Sequence, residues 1–239
     1  MSEINLFYGT WELDGILKDI KEGEAIELLK YAKEQGINSF DTALVYGNGK
    51  VERMLASVID DKDIVLTKIP AKIKPSLDEE DIDGFYPEGY IEEKLSESLR
   101  NLKRKSINIV LLHNFSRKWT NLRPINDLVK LKKQGLIDKI GISIPNNFNE
   151  RLPQNVVDLI DYIEVPYNVE NTWILSDIDY YKENNIQIIL RSLFLQGKVI
   201  TDNNFIIDTL LKVKKLNVNV TIGMTKKSQI DQNIEILKG

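Results

Sequence analysis

The feature that most constrains the fold is an alternation, repeated along the chain, between short apolar segments and longer amphipathic ones. The apolar segments are rich in β-branched residues and almost continuous in hydrophobicity, which is typical of strands buried on both faces. Eight such segments occur, and they read INLFYGT, INSFDTA, DIVLTKIP, INIVLLHN, DKIGISI, DYIEVPYN, IQIILRS and VNVTIGM. Strands of this kind belong to parallel sheets that helices cover.

The amphipathic segments between the strands have the spacing of helices. In EGEAIELLKYAKEQG one apolar stripe recurs at helical intervals, and its members are Ala25, Ile26, Leu28, Leu29 and Ala32. Gly36 and Gly135 follow such segments where left-handed helix C-caps are expected. Eight successive β–α units predict an α/β fold, a single-domain (β/α)8 barrel of the TIM-barrel type over residues 1–239.

An open, doubly wound parallel sheet is the alternative architecture. Such sheets usually have fewer strands, and many carry a G-x-G-x-x-G turn after the first strand. The first strand here runs into YGTWELDG, which lacks that pattern. The closed barrel is therefore favoured, and barrels of this type carry their active sites at the carboxyl ends of the strands.

Composition and charge exclude several classes of function. The net charge of −4 argues against a nucleic-acid surface, and no apolar run reaches the roughly 18 residues of a membrane span. The first residues, MSEINLFYGT, lack the pattern of a signal peptide. With no cysteine and one histidine, a metal-assisted lyase or isomerase fits poorly, and no metal site is expected. The expectation is a soluble, cytoplasmic protein without nucleic-acid or membrane partners.

Four polar residues fall at the ends of three consecutive strands. Asp41 ends the second strand and Tyr46 follows it, Lys68 ends the third, and His113 ends the fourth. Each residue alone has an ordinary structural explanation: a turn, half-buried packing, a solvated cation or a hydrogen-bonded histidine. Because consecutive barrel strands are neighbours, however, the four side chains can converge, and a buried lysine needs a counter-charge such as Asp41. The coincidence favours an active site.

The chemistry of this set suits the reduction of a carbonyl group. A tyrosine phenol has a reference pKa of about 10, and a nearby ammonium group lowers it. Asp41 is expected to hold Lys68 charged, so that Tyr46 becomes more acidic. His113 is expected to orient a carbonyl oxygen by hydrogen bonding. Such an arrangement protonates an alkoxide as it forms.

The motif around Tyr46 resembles that of the aldo-keto reductases, whose local pattern is D-T-A-x-x-Y-G. The chain reads DTALVYG over residues 41–47 and has Glu52 in the following helix. The likeness extends over the chain through YGT, KIGISIPNN, RSLFLQG and IGMTKKSQIDQNI. It implies hydride transfer between a nicotinamide cofactor and an aldehyde or ketone, with Tyr46 as general acid. NADPH is the expected cofactor, with NADH possible.

The same resemblance implies a cofactor site, from which the chain departs at several positions. Ile144 stands where the family has Asn, and Glu164 stands where it has Gln. Glu164 can accept from a carboxamide NH₂ but cannot donate to it. Arg191 stands where an aromatic residue is usual, so that it either stacks on a ring or forms a salt bridge. The implied cofactor-binding residues are Thr10, Asp41, Ser143, Glu164, Arg191, Ser192, Gln196, Gly197, Lys226, Ser228, Gln229 and Asn233.

Members of the family are usually longer, with an N-terminal hairpin and a C-terminal lid that are reduced here. The expected pocket is therefore open and suits a bulky or carrier-linked carbonyl substrate. Trp11 and Trp119 are candidates to line the substrate pocket, although either could instead cover core. The alternative function is a nicotinamide-binding regulatory protein of the same fold with little or no turnover, as in related ion-channel subunits.

Overall fold

A computed structural model describes residues 5–16, 18–73, 82–115 and 121–239. Eight parallel strands form a closed barrel in chain order, and the last strand pairs with the first. The strands are β1 (Leu6–Gly9), β2 (Ser39–Asp41), β3 (Ile64–Ile69), β4 (Ile107–Leu112), β5 (Ile137–Ser143), β6 (Tyr162–Pro166), β7 (Gln187–Arg191) and β8 (Asn219–Gly223). The predicted (β/α)8 barrel is thus confirmed. The extent of the domain, residues 1–239, stays a prediction.

Helices surround the barrel and return the chain to the amino ends of the strands. They are α1 (Glu22–Glu34), α2 (Lys50–Leu55), α3 (Ile82–Phe85), α4 (Tyr90–Leu102), α5 (Arg123–Lys133), α6 (Gln154–Val157), α7 (Ile178–Glu183), α8 (Asn203–Leu216) and α9 (Lys227–Lys238). Gly36 and Gly135 adopt the predicted left-handed conformation, with φ of 86° and 76°. No helix within the described ranges is both long and apolar enough to cross a membrane.

The apolar strand residues divide between two cores. Most of them pack outward against the helices in one extended hydrophobic cluster. A smaller cluster forms where side chains from β1, β3, β4 and β7 meet, and its members are Phe7, Leu66, Ile109, Leu111 and Ile189. Burial on both faces explains why the strand sequences are almost continuously apolar. The barrel is therefore a packed core, which leaves its carboxyl-terminal rim for chemistry.

Gly141 allows two strands to approach closely at one point of the barrel wall. It lies opposite Tyr162 in the register of β5 and β6. A Cβ at position 141 would lie 2.1 Å from the Tyr162 carbonyl oxygen, far inside van der Waals contact. Glycine is thus required by the spacing of these strands, which carry Ser143 and Glu164 to the rim.

A buried carboxylate fastens the segment that carries Tyr46. Glu52 on α2 is fully buried and accepts hydrogen bonds from Thr67 Oγ1 at 2.7 Å and from Asn101 Nδ2 at 2.9 Å. These bonds connect α2 to β3 and to α4. Because α2 begins at Lys50, shortly after Tyr46, they fix the loop between β2 and α2 relative to the strand that bears Lys68.

Candidate active site

The carboxyl ends of the strands enclose a cleft of about 1480 Å³. Asp41, Tyr46, Lys68 and His113 all line it, so the structure brings together the four residues singled out from the sequence. Strand order places them: Asp41 ends β2, Lys68 lies near the end of the adjacent β3, and His113 directly follows β4. The backbone N–H of His113 donates to the carbonyl of Ile69 at 2.9 Å, which extends the pairing of β3 with β4 to the rim.

Lys68 is a buried cation with two carboxylate partners. Its Nζ contacts the Asp41 carboxylate, lies 3.4 Å from Glu164 Oε1 and donates to the Thr42 carbonyl at 3.2 Å. Burial on its own would lower the pKa of Lys68, but Asp41 and Glu164 outweigh it and raise that pKa above its usual value. Lys68 is therefore charged at neutral pH. The predicted contact with Asp41 is present, and the contact with Glu164 was not predicted.

The Tyr46 ring lies near the Lys68 ammonium group and two other aromatic rings. Lys68 Nζ is 5.7 Å from the Tyr46 ring centroid. The His113 ring meets it edge-on and the Trp11 ring stacks on it, both at 6.5 Å between centroids. Burial raises the pKa of Tyr46 to about 12, although Lys68 acts to lower it. The prediction of a net lowered pKa is therefore wrong, because desolvation of the phenolate exceeds the stabilisation by the ammonium group.

A phenol with this pKa keeps its proton throughout the neutral range. It can still protonate an alkoxide, since an alkoxide is a much stronger base than a phenolate. The charge of Lys68 keeps the pKa of Tyr46 lower than burial alone would set it. What the arrangement supplies is a fully protonated donor beside a fixed cation, which suits general acid catalysis.

Asp41 and Glu164 share the charge of Lys68. Burial raises the pKa of Asp41 to about 7 against the effect of Lys68, and the charge of Glu164 adds to this rise. Burial also opposes ionisation of Glu164, but Lys68 and Arg191 lower the pKa of Glu164 to about 2. The pair therefore titrates as a unit, with one carboxylate that stays ionised and one carboxyl group that holds a proton more tightly than usual.

The ends of β5 and β6 differ from the expectation for a carboxamide site. Ser143 lines the cleft, and its Oγ donates to Glu164 Oε2 at 2.5 Å. The side chain of Ile144 is fully buried in the outer hydrophobic core. Glu164 Oε1 is buried and makes no hydrogen bond to the described part of the protein. The site thus retains one unfilled acceptor on Glu164.

Arg191 forms polar contacts with neighbouring residues of the rim. Its Nη1 donates to Asn146 Oδ1 and to Ser192 Oγ, both at 2.9 Å, and its Nη2 donates to the Ile144 carbonyl at 2.6 Å. Its Nε lies 3.9 Å from Glu164 Oε2 and makes no hydrogen bond to the described residues. Of the two roles considered for Arg191, the structure thus shows the ion pair. The contact with Asn146 was missed, because nothing in the sequence links β7 to the loop after β5.

The remaining predicted residues divide into those at the cleft and those away from it. Thr10, Ser192, Gln196, Gly197 and Gln229 line the cleft. Thr10 Oγ1 donates to the Asp41 carbonyl at 2.9 Å and so fixes the end of β2. Gln229 Oε1 accepts from the backbone N–H groups of residues 225 and 226 at the start of α9.

Three predicted residues, Lys226, Ser228 and Asn233, are not among the described residues that line the cleft. Lys226 and Ser228 are exposed, whereas Asn233 is buried on α9. Trp11 is 42% exposed at the rim, as a substrate contact requires. Trp119 lies outside the described residues. Over the described ranges, no cluster of histidine, aspartate and glutamate could hold a metal ion.

Sequence comparison places this barrel in a family. A sequence model of the Aldo/keto reductase family matches residues 5–218, and the chain belongs to that family. The aldo-keto reductase YhdN of Bacillus subtilis is 29% identical over 203 residues, which cover 79% of this chain and 58% of that protein. The L-galactose dehydrogenase of Arabidopsis thaliana is 25% identical, with 80% and 61% covered. The chain thus spans about three fifths of the length of these two relatives.

Solved structures share the fold at low sequence identity. The aldo-keto reductase AKR11C1 from Bacillus halodurans, in its holo form, superposes with a TM-score of 0.78 at 19% identity, covering 98% of this chain and 87% of that one. An aldo/keto reductase from Klebsiella pneumoniae, solved in complex with NADP and acetate, gives a TM-score of 0.73 at 14% identity, with 98% and 86% covered. At these identities the likeness shows a shared fold.

Proposed function

We propose that the protein is a NAD(P)H-dependent reductase that converts an aldehyde or ketone to an alcohol, with Tyr46 as the general acid. The observation that carries the proposal is the meeting of Tyr46, a charged and buried Lys68, and His113 at one cleft. A bound reduced nicotinamide supplies the hydride. Tyr46 donates its proton to the substrate oxygen, Lys68 stabilises the phenolate left behind, and His113 orients the oxygen by hydrogen bonding.

Two buried polar atoms at the rim, neither of them hydrogen-bonded to the described residues, support the binding of a nicotinamide cofactor. Glu164 Oε1 is a buried acceptor and Arg191 Nε a buried donor, and both residues line the cleft. A carboxamide carries an NH₂ group that donates and a carbonyl oxygen that accepts, so its two ends complement these two atoms. Glu164, Arg191 and Ser143 would therefore hold the carboxamide. The Klebsiella pneumoniae structure with NADP supports this cofactor class.

The proposed cofactor is NADPH, with NADH as the second choice. Lys226 and Ser228 lie at the start of α9, where free backbone N–H groups favour a phosphate. Because these two residues lie outside the cleft, they are suited to bind the end of an extended dinucleotide that is farthest from the nicotinamide. A thermal-shift titration with NADPH, NADH and their oxidised forms tests the choice, because a ligand that binds only the folded state raises its melting temperature. A larger shift with NADH would reverse the preference.

The proposed substrate has an apolar part or is attached to a carrier. Trp11, Val45 and Ile200 are large apolar residues that line the cleft and are each more than a third exposed. Exposed apolar residues grouped around a polar centre are typical of a ligand groove. A series of aldehydes of increasing chain length tests this proposal, and we expect kcat/KM to rise with length. A flat series would contradict an apolar substrate groove.

Substitution of Tyr46 tests the proposed function directly. Tyr46→Phe is expected to lower the consumption of reduced cofactor by about 100-fold or more, since general acid catalysis contributes about 10²–10⁴. Binding of reduced cofactor, followed by fluorescence, is expected to persist. Tyr31→Phe is the matched control, because its hydroxyl contacts Asp231 on the outer helical layer. An equally active Tyr46→Phe enzyme would refute the role, and cofactor binding without turnover by the parent would instead indicate the regulatory protein.

A further inference from the structure

Lys68 contacts two buried carboxyl groups rather than one. Its Nζ contacts Asp41 and lies 3.4 Å from Glu164 Oε1. The side chains of Asp41, Lys68 and Glu164 are 6%, 2% and 1% exposed, so water screens none of these charges effectively. Both carboxyl groups therefore lie against one ammonium group in a desolvated site. Two carboxyl groups that share a site in this way do not both ionise readily, which favours a proton on one of them.

The side chains around Asp41 and Glu164 determine how these two carboxyl groups ionise. Lys68 faces them from β3, Tyr46 from the loop after β2, and Arg191 from β7. Ser143 on β5 donates to Glu164 and carries no charge. Lys68 is in contact with both carboxyl groups, whereas Arg191 Nε lies 3.9 Å from Glu164 and the Arg191 Nη atoms donate to groups of the loop after β5. Close carboxyl groups of this kind release their protons in two separate steps, because ionising both is costly.

We propose that Glu164 is a positioning residue that shares one proton with Asp41, so that the charge around Lys68 changes at neutral pH and sets the pH dependence of the reduction. The proposal rests on the function proposed for Tyr46. With the shared proton in place, one carboxylate balances Lys68, and the ammonium group stabilises the Tyr46 phenolate effectively. Without the proton, two carboxylates neutralise Lys68, and proton donation by Tyr46 becomes harder.

The sign of the effect follows from this charge balance. Reduction is fast when the pair holds its proton and slows as the pH rises and the proton is lost. Burial places the pKa of Asp41 at about 7, which puts the change in the neutral range. In Glu164→Gln the repulsion by a second carboxylate is gone. Asp41 then stays ionised through the neutral range. The step in the pH profile should therefore disappear, even though the variant retains His113.

The test is a pH–rate profile of the parent, Glu164→Gln and a control, each with saturating NADPH. We expect kcat of the parent to fall at least about threefold between about pH 6 and about pH 8, as the pair formed by Asp41 and Glu164 loses its one proton. Glu164→Gln should be nearly flat over this range. Glu183→Gln removes the same charge from an exposed position at the end of α7 and should follow the parent. A neutral-range step that survives in Glu164→Gln would overturn the proposal.

An infrared measurement keeps the proposal testable if Glu164→Gln folds or binds cofactor poorly. The pH-difference spectrum of the parent should contain a protonated-carboxyl band that disappears near neutral pH. Asp41→Asn or Glu164→Gln should remove this band, and Glu183→Gln should retain it. Absence of such a band from the parent overturns the proposal. A titrating band in a protein that reduces no carbonyl supports the shared proton and contradicts the proposed function instead.

Discussion

Replacing Lys68 by methionine tests whether the buried charges at the rim are held in balance. Methionine keeps the length and apolar character of the lysine stem but removes the ammonium group. The Asp41 and Glu164 carboxyl groups, which are 6% and 1% exposed, would then lose their shared partner. Removing one partner of a buried ion pair typically lowers the free energy of unfolding by about 3–5 kcal/mol. In a chain of 239 residues, that loss corresponds to a fall in Tm of about 6–20 °C.

The pH dependence of this loss separates electrostatics from packing. In Lys68→Met, burial and mutual repulsion raise the pKa values of both carboxyl groups above their unfolded values. Groups with raised pKa contribute stability that is present below the unfolded pKa, about 4, and is lost as the pH rises. The difference in Tm between variant and parent should therefore be largest near neutral pH and smaller at about pH 5. Thermal melts followed by circular dichroism at several pH values measure it.

A matched control comes from the surface of the barrel. Lys94 also contacts two carboxylates, Glu93 at 3.3 Å and Glu97 at 3.0 Å, but their side chains are 68% and 31% exposed. Because solvent screens this cluster, Lys94→Met should cost about 0–1 kcal/mol. The double variant Lys68→Met/Glu164→Gln should recover part of the loss, as expected for residues in contact. If Lys68→Met lowers Tm no more than Lys94→Met at every pH, the reasoning about a desolvated cluster is refuted.

Three further substitutions test how the fold supports the site. Gly141→Ala should lower the free energy of unfolding by about 3 kcal/mol in urea titration, because its Cβ would meet the Tyr162 carbonyl oxygen at 2.1 Å. Thr67→Val should lower it by about 1–3 kcal/mol in thermal melts, since buried Glu52 loses a hydrogen-bond donor. Phe148→Ala removes a buried ring that packs edge-on against two other aromatic rings and should cost about 3–5 kcal/mol in urea.

The fold and the central residues of the site could be predicted from sequence because both depend on strand order. Eight apolar segments buried on both faces leave few architectures besides a closed barrel. Once the barrel is assumed, consecutive strands are neighbours, and the residues at the ends of β2, β3 and β4 must share one rim. Asp41, Lys68 and His113 therefore meet without any knowledge of loop conformation. The same argument brings Tyr46 to them through its short loop.

Properties that depend on depth and on loops could not be predicted in this way. The sign of the pKa shift of Tyr46 depends on whether burial or the ammonium charge dominates, and the sequence does not reveal burial of a rim residue. The distance of Lys226, Ser228 and Asn233 from the cleft depends on the orientation of α9. The partners of Arg191 include a carbonyl and an amide from the loop after β5, which no periodic pattern specifies.

Three departures from the family pattern, considered separately in the sequence, form one unit in the structure. Arg191 donates to the Ile144 carbonyl and lies 3.9 Å from Glu164 Oε2. Glu164 replaces the neutral glutamine of the family pattern next to Asp41, and Arg191 places a cation near it. Isoleucine at position 144 removes a polar side chain from the rim, while Arg191 binds its backbone instead. The substitutions at 144, 164 and 191 are therefore mutually dependent, and changing Glu164 without Arg191 should leave the partly exposed Arg191 guanidinium group without its carboxylate partner.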